Sequence, residues 1–199
     1  MYDDEFELTF DLSDEDEASR APEPEQEPVQ EAAPEPAAET EPPVEAAPEP
    51  AAPAANGRCV LISGGDRGIG AAAARAFWQA GYRVAVLYHT HAEAAAALEK
   101  ALPGLLAVQC DVASRASCEV AFHTVEQAVG HVDVLVSNAG IAQQKLFTDI
   151  TPEEWQHMLD VNLSGAFHLC QLALPGMIRR KAGRILTVSS MWGQTGGSC

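Results

Sequence analysis

The sequence predicts an α/β fold, a doubly wound parallel sheet, over residues 57–199, and a disordered acidic tail over residues 1–56. Three observations lead to this prediction. Short apolar runs alternate with helical patterns along residues 58–190. The runs are continuously rich in Val, Ile and Leu, which is typical of parallel strands covered on both faces. Finally, charge and proline content change abruptly near residue 56.

The N-terminal tail carries the whole net charge of the chain. Residues 1–56 hold 18 acidic residues against one basic residue, Arg20, and so account for the formal charge of -17. Residues 57–199 hold 11 acidic and 11 basic residues. The tail also holds 10 of the 13 prolines and none of the 15 glycines. Such a segment buries too little apolar surface to offset its ordering entropy, so we expect a solvated spacer.

The first residues of the tail differ from the rest, because Tyr2, Phe6, Leu8, Phe10 and Leu12 stand among the acids. One interpretation is a solubilising tail with incidental apolar residues. The other is a short motif that becomes ordered on an unknown partner with a basic surface or an open strand edge. The sequence leaves both interpretations open.

Location and partner class follow from what the sequence lacks. The acidic N-terminus has no signal-peptide pattern, and no window is apolar enough to span a bilayer. The five cysteines form no C-x-x-C pair, which suits a reducing compartment. We therefore expect a cytoplasmic protein with no membrane association. We also expect no nucleic-acid partner.

The secondary-structure elements follow in order from residue 58. Apolar runs that end at turn residues predict strands at 58–64, 82–89, 105–112, 132–140 and 183–190. Longer alanine-rich or amphipathic stretches predict helices at 68–81, 91–102, 114–130 and 152–181. The last helix should begin with a capping box, with Thr151 at the N-cap, Pro152 in the first turn and Glu154 three residues on. An interruption is expected near Pro175, since proline lacks a backbone N–H.

The first strand-to-helix turn reads SGGDRGIG, residues 63–70. Gly64, Gly68 and Gly70 give the pattern G-x-x-x-G-x-G at the point where a nucleotide-binding fold brings its backbone close to a pyrophosphate. The free N–H groups and dipole of the following helix favour an anion there. An ordinary glycine-rich turn is the alternative. The position between a first strand and a first helix favours the dinucleotide site.

The end of the second strand favours NADPH as the dinucleotide. A site for NAD places an acid there to hold the ribose, and residues 87–90, LYHT, contain none. Arg67 could instead pair with a 2′-phosphate, although Asp66 beside it would repel that group. His89 and His91 have an i, i+2 spacing but no third ligand nearby, so no metal site is predicted. A solvated loop or a ribose contact fits these histidines better.

Five motifs occur in a fixed order: SGGDRGIG, CDV, SNAG, VNLSGAF and GRILTVSSMWG. In order and spacing they resemble the short-chain dehydrogenase/reductase family, and most of all its 3-oxoacyl-[acyl-carrier-protein] reductase branch. The resemblance covers residues 58–199 and excludes the tail. It implies a Rossmann-type fold and an NADPH-dependent oxidoreductase acting on a small-molecule or acyl-carrier-bound carbonyl. The expected reaction is the reduction of a 3-oxoacyl thioester in fatty acid biosynthesis. The full-length enzyme is expected to be a homo-oligomer.

The resemblance also implies residue roles. The cofactor-binding residues would be Gly64, Arg67, Gly68, Ile69 and Gly70 at the phosphates, Asp111 and Val112 at the adenine, and Asn138, Ala139 and Gly140 beside the ribose. Asn162 would be catalytic, holding a water of the proton relay, and Ser190 would bond the substrate carbonyl. Without the resemblance, Asn138 fits an ordinary turn, Asn162 fits a solvent-facing helix position, and Ser190 fits either role.

The family's general acid is missing. It is a tyrosine in Y-x-x-x-K, and none of Tyr2, Tyr82 and Tyr88 has a lysine four residues later. We therefore expect a fragment truncated before that motif, without reductase activity of its own. Two alternatives stay open: a non-catalytic dinucleotide-binding module, and an acidic interaction arm that carries the domain as a passenger. The basic run at residues 179–184 would either dock an acidic carrier protein or simply end a helix.

Overall fold

The computed structural model describes residues 55–190 and Gly193. The predicted disordered tail therefore lies outside the described residues, except for its last two. Of these, Asn56 is tied to the folded unit. Its backbone N–H donates to the carbonyl of Gly81 (2.9 Å) and its side-chain amide to that of Ala80 (2.9 Å).

The described chain forms the predicted doubly wound parallel sheet. The strands are β1 (Cys59–Ser63), β2 (Arg83–Tyr88), β3 (Leu106–Gln109), β4 (Val134–Ser137) and β5 (Arg184–Thr187). The α-helices are α1 (Gly68–Gln79), α2 (Ala92–Ala101), α3 (Arg115–Val129), α4 (Pro152–Leu159) and α5 (Gly165–Arg180). All strand pairs are parallel, in the order β3-β2-β1-β4-β5. The order reverses direction between β1 and β4, so the sheet has a topological switch point there.

Alternate residues of β1 face opposite sides of the sheet and enter two separate cores. Leu61 packs in the layer that contains α3 and α5, with Phe122, Leu135 and Leu169. Val60 and Ile62 pack in the layer that contains α1 and α2, with Trp78 and Leu98. Burial on both faces explains why this strand reads as one apolar run. Burial also raises the pKa of the Cys59 thiol to about 11.

The predicted break in the last helix is present, but the predicted place is wrong. α5 continues through Pro175 to Arg180, while the interruption is a π-helical turn at Asp160–Ser164, between α4 and α5. The buried Ala173 and Met177 flank the proline and pack into the core, and such packing outweighs a local propensity. The π turn contains Asn162, whose side chain forms hydrogen bonds with the backbone of Ile141.

The capping box predicted at residues 151–154 is confirmed. Thr151 Oγ1 accepts from the Glu154 backbone N–H (3.2 Å), and Glu154 Oε2 accepts from the Thr151 backbone N–H (2.9 Å). Lys145 adds two bonds to the same carboxylate, at 2.9 and 2.7 Å. The Lys145 bonds, and then the Thr151 bond, hold the pKa of Glu154 below its usual value. The loop that follows β4 is thereby anchored to the start of α4.

β5 is the least buried of the strands that the structure describes. It pairs with β4 on one side, and Leu186 remains 47% exposed. Neighbouring α5 also leaves apolar side chains in solvent, among them Phe167 and Ile178. In residues 55–190, no helix combines the length and apolar character needed to cross a membrane.

We expect Thr151→Ala to lower the melting temperature by about 2–4 °C, because loss of an N-cap hydroxyl costs roughly 1 kcal/mol. Thr124→Ala is the matched control, since the Thr124 hydroxyl only bonds the Val120 carbonyl on the exposed face of α3 (2.9 Å). Thermal unfolding followed by circular dichroism measures both variants. Equal losses of stability in the two variants would show that the capping box has no special effect.

Candidate functional site

A cavity of about 380 Å³ opens at the carboxyl ends of the central strands. This is the switch point of the sheet, where open α/β folds bind their ligands. Nine residues expected from the sequence to bind a cofactor line it: Gly64, Arg67, Gly68, Ile69, Asp111, Val112, Asn138, Ala139 and Gly140. Gly70, the tenth, is not among the lining residues but packs against Gly64 and Asn138.

The glycine loop forms a cradle that side chains would fill. Gly64 has φ +60°, and a Cβ there would lie 3.0 Å from the Cα of Ala139. A Cβ on Gly70 would collide with the Gly64 carbonyl and lie 2.7 Å from Asn138 Nδ2. Gly68 also has a positive φ, +52°, yet faces open space. Gly64 and Gly70 are thus needed for packing, while Gly68 leaves room for a ligand at the start of α1.

The ends of β1 and β4 are joined by side-chain hydrogen bonds. Asn138 Nδ2 donates to the carbonyls of Ser63 (3.0 Å) and Gly64 (2.9 Å). Ser63 Oγ accepts from the backbone N–H groups of Asn138 and Ala139, both at 3.0 Å. Asn138 therefore does more than form a turn, because it closes the switch point against the glycine loop.

Ser63 and Gly65 were missed by the sequence reasoning. Ser63 is 1% exposed and holds two backbone groups of the β4 end. A Cβ on Gly65 would lie 2.6 Å from that of Val86, so this glycine lets the loop pack onto β2. The second glycine of SGGDRGIG was a visible signal for this close approach, whereas a serine at a strand end gives none.

Asp111 and Val112 follow β3 and are held by two helices. The Asp111 backbone N–H donates to Ser117 Oγ on α3 (3.0 Å), and Asp111 Oδ1 accepts from the backbone of Ala113 (3.0 Å). A Cβ on Gly165 would lie 2.9 Å from Val112 Cγ2, so α5 packs closely there. These contacts fix one wall of the cavity.

Asn162 lies in the π turn and bonds the loop after β4. Its Oδ1 accepts from the backbone N–H of Ile141 (2.9 Å), and its Nδ2 donates to the carbonyl of Ile141 (3.0 Å). Nδ2 also lies 2.9 Å from the sulfur of Met158. A Cβ on Gly140 would lie 2.9 Å from Asn162 Oδ1. The wider turn thus brings the amide against a main chain that lines the cavity, and π turns often occur at such sites.

Ser190 lies three residues beyond the end of β5, at the edge of the sheet formed by the carboxyl ends of the strands. The backbone N–H of Val188 donates to Ser137 (2.9 Å) and so continues the pairing with β4 past Thr187. Ser190 is exposed, and its carbonyl accepts from the N–H of Gly193 (3.0 Å). Among the described residues, the cavity wall includes neither Ser190 nor Asn162.

At the mouth of the cavity, the side chains of Asp66 and Arg67 in the glycine loop contact His91, which follows β2. Arg67 Nη1 lies 3.2 Å from His91 Nε2, and His91 Nδ1 lies 3.5 Å from Asp66 Oδ2. The Asp66 side chain is only 6% exposed. Within the part of the chain that the structure describes, no group of three or more His, Cys, Asp or Glu side chains is arranged to hold a metal ion.

Comparison with known proteins gives a consistent result. The family model described as short chain dehydrogenase matches residues 58–199. Acetoacetyl-CoA reductase of Shinella zoogloeoides is 40% identical over 139 residues, a match that covers 70% of this chain and 57% of that protein. The 3-oxoacyl-[acyl-carrier-protein] reductase MabA of Mycobacterium avium is 40% identical over 144 residues, covering 71% and 53%. The chain thus spans little more than half the length of these curated relatives.

A solved structure agrees with this result. The crystal structure of gox2181 superimposes with a TM-score of 0.64 at 32% identity, over 69% of this chain and 55% of that one. The family match covers the whole sheet and every residue of the cradle. The Rossmann-type fold and the family resemblance expected from the motifs are therefore confirmed, and the chain belongs to the short-chain dehydrogenase/reductase family.

Proposed function

We propose that the protein is an NADPH-dependent carbonyl reductase that converts a 3-oxoacyl thioester to its 3-hydroxyacyl form. The observation that carries the proposal is the glycine cradle, since it is closed to side chains at Gly64 and Gly70 but open in front of Gly68. The substrate class is supported by relatives named acetoacetyl-CoA reductase and 3-oxoacyl-[acyl-carrier-protein] reductase.

The residues present fit a dinucleotide. The open N-terminus of α1 beside Gly68 suits a pyrophosphate, because the first N–H groups of a helix attract anions. Asp111 and Val112 would contact the adenine, and the main chain of Asn138 and Ala139 would flank its ribose. Arg67 would pair with the 2′-phosphate. When bound, the nicotinamide supplies the hydride for carbonyl reduction.

The chain would contribute to the polar half of the reaction through two residues. The hydroxyl of Ser190 would donate to the substrate carbonyl oxygen, where negative charge develops during reduction. Asn162, fixed against Ile141 by two hydrogen bonds, would position a water of the proton relay. Both roles are positional, since neither side chain is acidic enough to supply a proton at neutral pH.

Residues 1–199 contain no Y-x-x-x-K motif that could supply the proton of the proposed reaction. None of the three tyrosines has a lysine four residues later, and an unassisted phenol with a pKa near ~10 is a poor donor at neutral pH. We therefore propose that these 199 residues alone are inactive as a reductase. Oxidation of NADPH with a 3-oxoacyl thioester by the purified 199-residue chain would contradict this.

A non-catalytic dinucleotide-binding module is the second candidate function, and the same missing motif favours it. The intact mass of the native protein separates the two. A larger mass, with Y-x-x-x-K shortly after Cys199, supports the reductase. A mass that matches the 21.1 kDa of this chain supports a binding module, to which the acidic arm could recruit a partner.

A second copy of the chain is the proposed partner of α5. Phe167, Leu174 and Ile178 of α5 recur along one stripe with Leu163 of the preceding π turn, and the four are 41–69% exposed, which is more apolar surface than a helix normally leaves in water. Docking of an acidic carrier protein has weaker support. Arg180 already donates to the carbonyl of Val132 (2.8 Å) and Arg184 to that of Gly183 (2.9 Å), so two of the four basic residues in the run have structural partners.

We expect Arg67→Ala to weaken NADPH binding at least tenfold and NADH binding less than about twofold, because a charge-assisted pair exists only with the 2′-phosphate. Arg75→Ala is the matched control, since Arg75 is an exposed residue of α1 outside the cavity wall. Dissociation constants come from titrations of nucleotide fluorescence with the full native protein. Equal losses for both nucleotides would mean that Arg67 does not recognise this phosphate.

We expect Ser190→Ala in the full native protein to lower kcat with a 3-oxoacyl thioester by about 10²–10³-fold, since it removes a donor to the developing oxyanion. The dissociation constant of NADPH should stay within about twofold, because Ser190 lies off the cavity wall. Ser189→Ala, the adjacent exposed serine, should retain activity. If Ser189→Ala instead shows the larger loss, the catalytic role belongs to Ser189.

A further inference from the structure

Two buried cysteines lie side by side at the wall of the cavity that follows β3. Cys110 is the first residue after the end of β3, and Cys118 lies in the first turn of α3. Both are free thiols, 3% and 0% exposed. Their sulfur atoms are 4.0 Å apart. Because a disulfide bond is about 2.05 Å long, the two sulfurs need to approach by only about 2 Å to form one.

The two sulfurs differ in their access to the cavity. Cys110 is among the residues that line it, next to Asp111 and Val112, whereas Cys118 is absent from the wall that the structure describes. The sulfur of Cys118 lies against the backbone behind this wall, 3.5 Å from the carbonyl oxygen of Val112 and 3.9 Å from that of Asp111. A small reagent in the cavity therefore reaches Cys110 first, and the product finds Cys118 behind it.

The surroundings of the pair favour the thiolate on Cys110. Hydrogen bonds from the Cys118 thiol and, more weakly, from the Ser117 hydroxyl (3.7 Å) lower the pKa of Cys110, against the opposing effect of burial. The pKa of Cys118 is raised by the same contact with Cys110 and by burial. Because the thiolate is the nucleophile, Cys110 is the residue that attacks an oxidant, and Cys118 is the one that resolves the product.

We propose that Cys110 and Cys118 are an oxidation-sensitive pair, which hydrogen peroxide reaches through the cavity and converts to an intramolecular disulfide. The Cys110 thiolate attacks one peroxide oxygen, the O–O bond breaks, and the released hydroxide takes up the proton that Cys110 had lost. The Cys118 sulfur then attacks the Cys110 sulfenic acid and loses its proton, and a second water leaves. Two thiols and one peroxide thus give one disulfide and two waters, and a reducing thiol restores the pair. Transient disulfides of this kind are the ones that occur in a reducing compartment.

Formation of the disulfide and binding of a nucleotide oppose each other at this wall, a part of the inference that rests on the proposed dinucleotide function. A nucleotide that contacts Asp111 and Val112 covers the path to Cys110. In the other direction, closing the gap between the sulfurs draws the residues after β3 toward α3, where the Asp111 backbone N–H is bonded to Ser117 (3.0 Å). The wall is thereby displaced. Because coupling between two sites is reciprocal, the oxidised protein binds the nucleotide more weakly.

The sequence offers a direct readout of the disulfide, because Arg115 lies between the two cysteines. Trypsin cleaves after arginine, so the cysteines fall on separate peptides, residues 101–115 and 116–145, each with a single cysteine. The full native protein is treated with hydrogen peroxide, its remaining thiols are alkylated in denaturant, and the digest is analysed by mass spectrometry. We expect the two peptides to appear joined, and to separate after reduction with dithiothreitol.

Cys118→Ala tests the order of events, with Cys170→Ala as the matched control. Without Cys118 the joined peptides should be absent, and the Cys110 sulfenic acid should persist and be trapped by dimedone on residues 101–115. Cys170 is a partly buried thiol of α5, and its variant should give the joined peptides as wild type does. Cys59 is the internal control, since burial raises its pKa to about 11 and keeps it an unreactive thiol.

NADP⁺ is the nucleotide probe, because it brings no reducing equivalents to the reaction. Its dissociation constant is measured by calorimetry on the reduced full native protein. At about twenty times that concentration few sites are free, so the joined peptides should form about tenfold more slowly or less. The oxidised protein should bind NADP⁺ about fivefold more weakly or less tightly still, and dithiothreitol should restore the affinity.

Failure of peroxide to join the two peptides in the wild-type protein would overturn the inference and leave the dinucleotide function untouched. Joined peptides that form equally fast with NADP⁺ bound would overturn the opposition between oxidation and nucleotide binding. Absence of NADP⁺ binding to the reduced protein would instead overturn the proposed function, while joined peptides would still support the oxidation-sensitive pair.

Discussion

The fold and its cavity depend on one contact, in which Asn138 and Ser63 tie the end of β4 to the end of β1. At a switch point the two strands are followed by connections that leave in opposite directions, so the sheet alone does not hold their ends together. Four hydrogen bonds of 2.9–3.0 Å supply the closure there. Because one of them ends on the carbonyl of Gly64, the same contact also sets the position of the glycine loop.

The π turn extends this closure to the next layer. Residues 138–141 leave β4 beneath the cavity, and Asn162 holds Ile141 at both its N–H and its carbonyl. An α-helical turn at Asp160–Ser164 would present a different face to this loop, since one fewer residue would fill it. The helix thus departs from regular α-helical hydrogen bonding at this turn, and the loop after β4 is held in place by Asn162. The sequence reaches this arrangement with a single amide and two close-packed glycines, Gly140 and Gly165.

How much the sequence predicts depends on the distance between interacting residues along the chain. The strands and the capping box were predicted correctly, because their signals lie within a few residues. The helix break was assigned to Pro175 because proline is a local signal, whereas the observed break contains Asn162, whose hydrogen-bond partner Ile141 lies 21 residues away. The contacts of His91 with Asp66 and Arg67 were missed for the same reason, since those residues precede it by 25 and 24 residues.

The strand order has a consequence for how the chain is made. β1 lies at the centre of the sheet, β2 and β3 add to one side of it in turn, and β4 and β5 add to the other. Each new strand therefore finds its neighbour already synthesised. The wall of the cavity is drawn from residues 64–161, so it is all available to a nascent chain before β5 leaves the ribosome. Folding during synthesis, from the N-terminal side onward, can then assemble the nucleotide cradle first and add the edge strand to a finished template.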